Sequence, residues 1–143
     1  MMLDGDECII GLMARHIYEG KEFPIFFWGQ RYGITIFETS AILPFYAIFG
    51  FKAIAVKLGI LSIWIIGVIY LYKTIVLLTG RKQMLSMALA LLFIVMPSWI
   101  VWSTKGYVAP FLFSNIALYL LVNEEKRKTI HYCIIGTLLI LIH

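Results

Sequence analysis

The sequence predicts an all-α, polytopic membrane fold with two juxtamembrane surface helices in an N-terminal extracytoplasmic loop, and three observations predict it. Of the 143 residues, 62% are hydrophobic and only 14% charged, with a mean hydropathy of +0.91. Soluble domains run at about 45–50% apolar and about 25% charged. Four long apolar runs follow a polar start, and short polar turns separate them. The basic residues gather in alternate turns, as the positive-inside rule requires of a chain that crosses a bilayer repeatedly. This composition excludes an ordinary cytosolic enzyme, a disordered tail and a basic nucleic-acid-binding domain, so no nucleic-acid partner is expected.

The first element is a short amphipathic helix. Asp4 or Asp6 can cap its start, Glu7 suits its positive end, and Gly20 is placed to stop it. Ile9, Ile10, Leu12, Met13, His16 and Ile17 recur at helical spacing, a stripe able to rest on a bilayer surface. His16 reads as a residue packed on that stripe rather than a ligand. The first eight residues carry three acids and no basic segment, unlike a signal peptide.

Next comes an aromatic hairpin built on Phe23-Pro24-Ile25-Phe26-Phe27-Trp28, of headgroup-level character. The run 34–51 follows. Glu38 and Pro44 leave only 41–51 free of interruption, nearer an interfacial helix than a span.

Spans are expected at about 53–79, 84–102, 107–122 and 130–143, the last cut short, giving a loop region 1–52 and a membrane region 53–143. Lys57 and Lys73 lie near opposite ends of the first span and can snorkel. Pro97 would kink the second, and Pro110 falls in the first turn of the third, where proline is tolerated. The turns holding Arg81, Lys82, Lys126, Arg127 and Lys128 share one side, which the rule makes cytoplasmic. Residues 1–52 then lie outside, in a plasma or inner membrane, with six acids and three bases among residues 1–38.

Few residues here bear chemistry. In Asp4-Gly5-Asp6-Glu7, three carboxylates at a helix start could hold a divalent cation or present a general base. They could equally cap the helix and solvate it, and the spacing is not that of a calcium loop. Glu38 is a carboxylate in an apolar segment, retained either for a task or as a polar face toward water. Lys105, in Trp102-Ser103-Thr104-Lys105-Gly106-Tyr107, falls on the same outer side and can hold a phosphate or simply shape the turn. His131 and His143 join no metal-ligand pattern. Cys8 and Cys133 form no framework and read as small buried hydrophobes. No Walker loop, GxGxxG or GxSxG occurs.

The run DGDECIIGLMARHIYEGKEFPIFFWGQRYG (Asp4–Gly33), with Ile36-Phe37-Glu38 and Phe45-Tyr46-Ala47-Ile48-Phe49-Gly50, resembles the first extracytoplasmic loop of GT-C-type polytopic glycosyltransferases, the protein-mannosyltransferase and aminoarabinose-transferase relatives. The GRKQ turn at 80–83 and the STKGY turn at 103–107 fit the same pattern more loosely. The resemblance implies transfer of a sugar from a polyprenyl-phosphate carrier to a lipid, glycan or protein acceptor at the outer membrane face. It makes Asp6 the general base, or with Glu7 a metal ligand, with Asp4 and Glu38 in support and Lys105 on the donor phosphate. It covers about the first third of such an enzyme, so the expectation is a fragment whose activity belongs to the parent architecture. The rival expectation is a small non-enzymatic membrane protein, an assembly or transporter subunit, whose acids only cap and solvate.

Overall fold

A computed structural model describes residues 3–30, 33–80, 82–95, 108–123, 134, 135 and 137. Among them the chain is helical: α1 (Gly5–Tyr18), α2 (Ile36–Phe49), α3 (Ala53–Leu78), α4 (Gln83–Val95) and α5 (Val108–Val122), with no strand beyond one isolated bridge. Pro97, Lys105, most of the 130–143 run, Cys133, His131 and His143, and the basic residues Arg81, Lys126, Arg127 and Lys128 lie outside the described residues.

The chain divides into two units. The first comprises Met1–Ile63 and Thr104–Ala109. In it α1 starts on a reciprocal capping box. Asp4 takes the extended N-cap conformation, its Oδ1 accepts the Glu7 N–H at 2.9 Å, and Glu7 Oε2 accepts the Asp4 N–H at 2.9 Å. Two of the four donors a helix start leaves open are thereby satisfied. The helix ends where Gly20 turns to φ +69°, a left-handed conformation that favours glycine.

The stripe on α1 is a packing face. Glu7, Ile10, Gly11, Met13 and Ala14 are buried, and α1 packs along α2. The Tyr46 hydroxyl donates to the Gly11 carbonyl at 2.8 Å, and the Thr35 hydroxyl reaches the Met13 sulfur at 3.9 Å. Ile10 and Met13 therefore meet protein where the sequence suggested a bilayer surface, while Leu12 is exposed. Cys8 is exposed too, contrary to its reading as a buried hydrophobe. It lies beside Glu7 but on the outward side of the first turn.

Between α1 and α2 the aromatic hairpin forms as expected. Phe27 N–H donates to Gly33 O and Thr35 N–H to Ile25 O, both at 3.0 Å, around a Phe26–Ile34 bridge. His16 is half-buried and stacks edge-on against Trp28 at 4.8 Å. In α2, Pro44 has no N–H for the Ser40 carbonyl, yet the helix continues to Phe49. Its buried residues Glu38, Thr39, Ile42 and Tyr46 line one side. Ile42 presses so closely on Gly59 of α3 that a Cβ at 59 would lie 2.8 Å from the Ile42 Cα.

The second unit comprises Trp64–Ser103 and Pro110–His143. Gly67 meets the Phe111 ring, and Tyr70 stacks edge-on against Tyr119 at 5.6 Å. The Thr79 and Ser86 hydroxyls pair at 2.7 Å across the turn from α3 to α4. On α4, Ser86 and Ala90 are buried, whereas Met84, Leu85, Met87, Leu89, Leu91, Leu92 and Val95 are exposed. Pro110 occupies the first turn of α5, as the sequence predicts.

At 26 residues α3 is the one helix among the described residues long and apolar enough to cross a membrane. Its length, about 39 Å at 1.5 Å per residue, exceeds a hydrocarbon core of about 30 Å. The helices α2, α4 and α5 are apolar but shorter.

Candidate functional site

The acidic turn at the start of α1 separates three carboxylates into three different situations. Asp4 is the N-cap. Glu7 is buried, at 1% exposure, with Oε2 held in the capping box and Oε1 in an ion pair with the Lys57 ammonium of α3. Asp6 stands between them in the chain, exposed to solvent. The helix geometry produces this split. Glu7 falls on the same stripe as Ile10, Gly11 and Ala14, which packs inward, whereas Asp6 precedes it by about 100° of rotation and points away.

Lys57 is the residue that reading the sequence did not connect to the site. It looked like a snorkelling cation, free to bend its stem toward water. Instead its side chain, 27% exposed, closes on Glu7 fifty residues earlier. The signal available was a lone lysine one turn into an apolar helix, in a chain with one acidic cluster upstream.

Glu38 also turns inward, which sets aside one of its two readings, the polar face toward water. Its Oε1 accepts the Ala109 N–H at 3.0 Å, and Oε2 is buried without a hydrogen-bond partner. Burial raises this carboxyl from the usual carboxylate range to about 7, against the lowering effect of the Ala109 amide. Thr39, next in the chain, gives its hydroxyl to the carbonyls of Thr35 and Ile36 and so offers Glu38 nothing.

At the far end of α1, Glu19 is held down to about 2 by hydrogen bonds from Lys21 and Arg15. Arg15 also lies over the Phe51 ring at 4.8 Å. These contacts are exposed and fasten the end of the helix; they contain no vacant group of catalytic type.

The geometry around the two acids named as possible metal ligands, Asp6 and Glu7, differs: Asp6 is exposed and Glu7 is buried. Both oxygens of Glu7 already have partners, and among the described residues no three His, Cys, Asp or Glu side chains converge as ligands. The described geometry brings Asp4, Glu7 and Lys57 together, leaves Asp6 facing water beside them, and sets Glu38 against the start of α5. Comparison with protein-family models, with curated proteins and with solved structures gives no match to this chain.

Proposed function

We propose that this chain belongs to a polytopic, GT-C-type inverting glycosyltransferase of the plasma or inner membrane, with α1, the aromatic hairpin and α2 forming a loop on the outer face. The donor is a polyprenyl-phosphate-linked sugar, and Asp6 is the general base. The observation that carries the proposal is the division of labour at the start of α1. Asp4 and Glu7 build and anchor the turn, and Asp6 is left exposed, with no hydrogen bond or ion pair to its carboxylate among the described residues.

The chemistry asks little more of such a group. An acceptor hydroxyl is a poor nucleophile, and a fixed carboxylate takes its proton as the new C–O bond forms at the sugar's anomeric carbon. The bond from that carbon to the phosphate oxygen breaks, and its electron pair leaves with the polyprenyl phosphate. Fixing Asp6 matters because reaction needs the acceptor oxygen and the base within hydrogen-bond reach. The capping box and the Glu7–Lys57 pair supply that rigidity. Lys105, assigned to the leaving phosphate, lies outside the described residues.

The test is transfer of a radiolabelled sugar from polyprenyl phosphate by the reconstituted full-length parent, wild type against Asp6→Asn. Loss of transfer with normal membrane insertion supports Asp6 as base; turnover near wild type removes it. Reporter fusions at residues 30 and 127 are expected on opposite sides of the membrane, and finding both on one side overturns the loop assignment.

A second reading has its own support. Two of the three clustered acids do structural work, as they would in a non-enzymatic assembly or transporter subunit. Under that reading neither protein transfers sugar, and Asp6→Asn leaves assembly unchanged.

A further inference from the structure

Lys73 is a second lysine in α3, and its surroundings differ from those of Lys57. Its ammonium lies over the Tyr70 ring at 5.1 Å, one turn earlier on the same helix, and over the Tyr119 ring of α5 at 6.0 Å. The two rings meet edge-on at 5.6 Å. Asn123, nearly buried, fixes the second ring by donating from Nδ2 to the Tyr119 hydroxyl at 3.1 Å. The side chain of Lys73 is exposed, and among the described residues no carboxylate pairs with it.

Residues 64–103 and 110–143 contain six Lys and Arg against two acids, Glu124 and Glu125, which lie outside the described residues. A cation in an apolar helix is costly unless it is paired or reaches the interface. Two aromatic faces satisfy one side of the ammonium. They also hold it back where a free lysine stem would extend into water. Among the described residues no acceptor meets the N–H groups on its other side. Lys73 lies about 7.5 Å from the end of α3, and in a helix of about 39 Å centred on a core of about 30 Å its Cα falls about 3 Å inside the hydrocarbon edge, with the headgroups within reach of its stem.

We propose that Lys73, Tyr70 and Tyr119 form a binding site for the phosphate of an anionic phospholipid headgroup. This rests on the membrane reading above but not on the transfer chemistry. Phosphate oxygens accept from the ammonium, the tyrosine rings flank the cation, and Asn123 keeps Tyr119 in place. The site faces lipid, and its occupant arrives laterally in the bilayer.

The experiment is native mass spectrometry of the full chain in detergent, offered equal amounts of phosphatidylglycerol and phosphatidylcholine, with inorganic phosphate alone as a separate arm. The wild type is expected to retain phosphatidylglycerol about five-fold over phosphatidylcholine, the effect of one lysine at an anionic surface. Lys73→Met is expected to bring the ratio to parity, while Lys73→Arg and the control Lys82→Met keep it. Equal preference in wild type and Lys73→Met overturns the site. Binding of inorganic phosphate without phosphatidylglycerol also overturns it, since the ligand is then not a lipid. Where Lys73→Met does not purify, Lys73→Gln takes its place under the same criterion. Carbonate extraction of membranes, run in parallel, separates the two levels. A chain released by carbonate sinks the membrane reading itself; a chain retained, with no lysine-dependent preference, sinks only the lipid site.

Discussion

The Lys57 ammonium, one turn into α3, and the Glu7 carboxylate, one turn into α1, form an ion pair across fifty residues of sequence. Glu7 is buried and Lys57 mostly so, which makes the two changes that break the pair unequal to the change that removes it. Lys57→Met leaves an uncompensated carboxylate in the protein and is expected to cost about 3 kcal/mol, the low end for a broken buried pair because water still reaches Lys57. Glu7→Gln with Lys57→Met together is expected to recover most of that loss. Thermal unfolding of the four proteins in detergent closes the cycle, and additive losses would show that the pair is not coupled.

Glu38 gives a pH dependence with a definite sign. Its folded pKa, raised to about 7 by burial, lies above the ordinary value of 4.5, so the folded state holds the proton more tightly than the unfolded state. Stability contributed by this group is complete below 4.5 and falls as pH rises toward 7, by about 3 kcal/mol in all. Glu38→Gln keeps an acceptor for the Ala109 N–H and has no charge to bury. Unfolding measured from pH 4.5 to 8 is expected to show a smaller decline for the variant, and parallel curves would refute the assignment.

Gly59→Ala is expected to be poorly tolerated. The added Cβ would lie 2.6 Å from an Ile42 side-chain carbon and 2.8 Å from its Cα, so backbone has to move. An overpacking cost of about 2–3 kcal/mol follows. Gly67→Ala makes an equally short approach, 2.6 Å, but to the Phe111 ring, which can swing aside. Melting temperatures should therefore fall further for Gly59→Ala than for Gly67→Ala, and the reverse order would mean that the α2 backbone yields easily at Ile42.

Tyr46→Phe removes a single buried donor while keeping the ring that stacks on Phe51 at 5.1 Å. The Gly11 carbonyl loses its cross-helix partner, at an expected cost of about 1 kcal/mol. The change in unfolding midpoint should be small but measurable, and a loss several times larger would point to a rearranged α1.

Local chemistry was legible in the sequence. The acidic cap, narrowed to Asp4 or Asp6, the stop at Gly20 and the proline in the first turn of α5 are each decided within a turn of chain, and the apolar run beginning at Ala53 became α3 almost to the residue. Of the candidate site, the acidic turn could be found but its roles could not be divided. Which of Asp6 and Glu7 faces inward depends on where α1 meets α2 and α3, a tertiary fact with no sequence period of its own. The two readings of Glu38 stayed open for the same reason: an acid in an apolar segment can face water or protein until the donor that receives it, Ala109, is known. Cys8 erred the other way, since a small apolar side chain carries too little burial energy to fix the rotation of a helix.

The contact between Glu38 and Ala109 also has a consequence in time. Seventy-one residues separate them, and ribosomes add about 5–20 residues per second. Glu38 is therefore made several seconds before the amide it will hold, and the first turn of α2 waits with its acid unmatched while α3 and α4 are synthesised. Anything that slows elongation between codons 39 and 109 lengthens that wait, so the yield of correctly assembled chain should depend on translation speed there more than before codon 38.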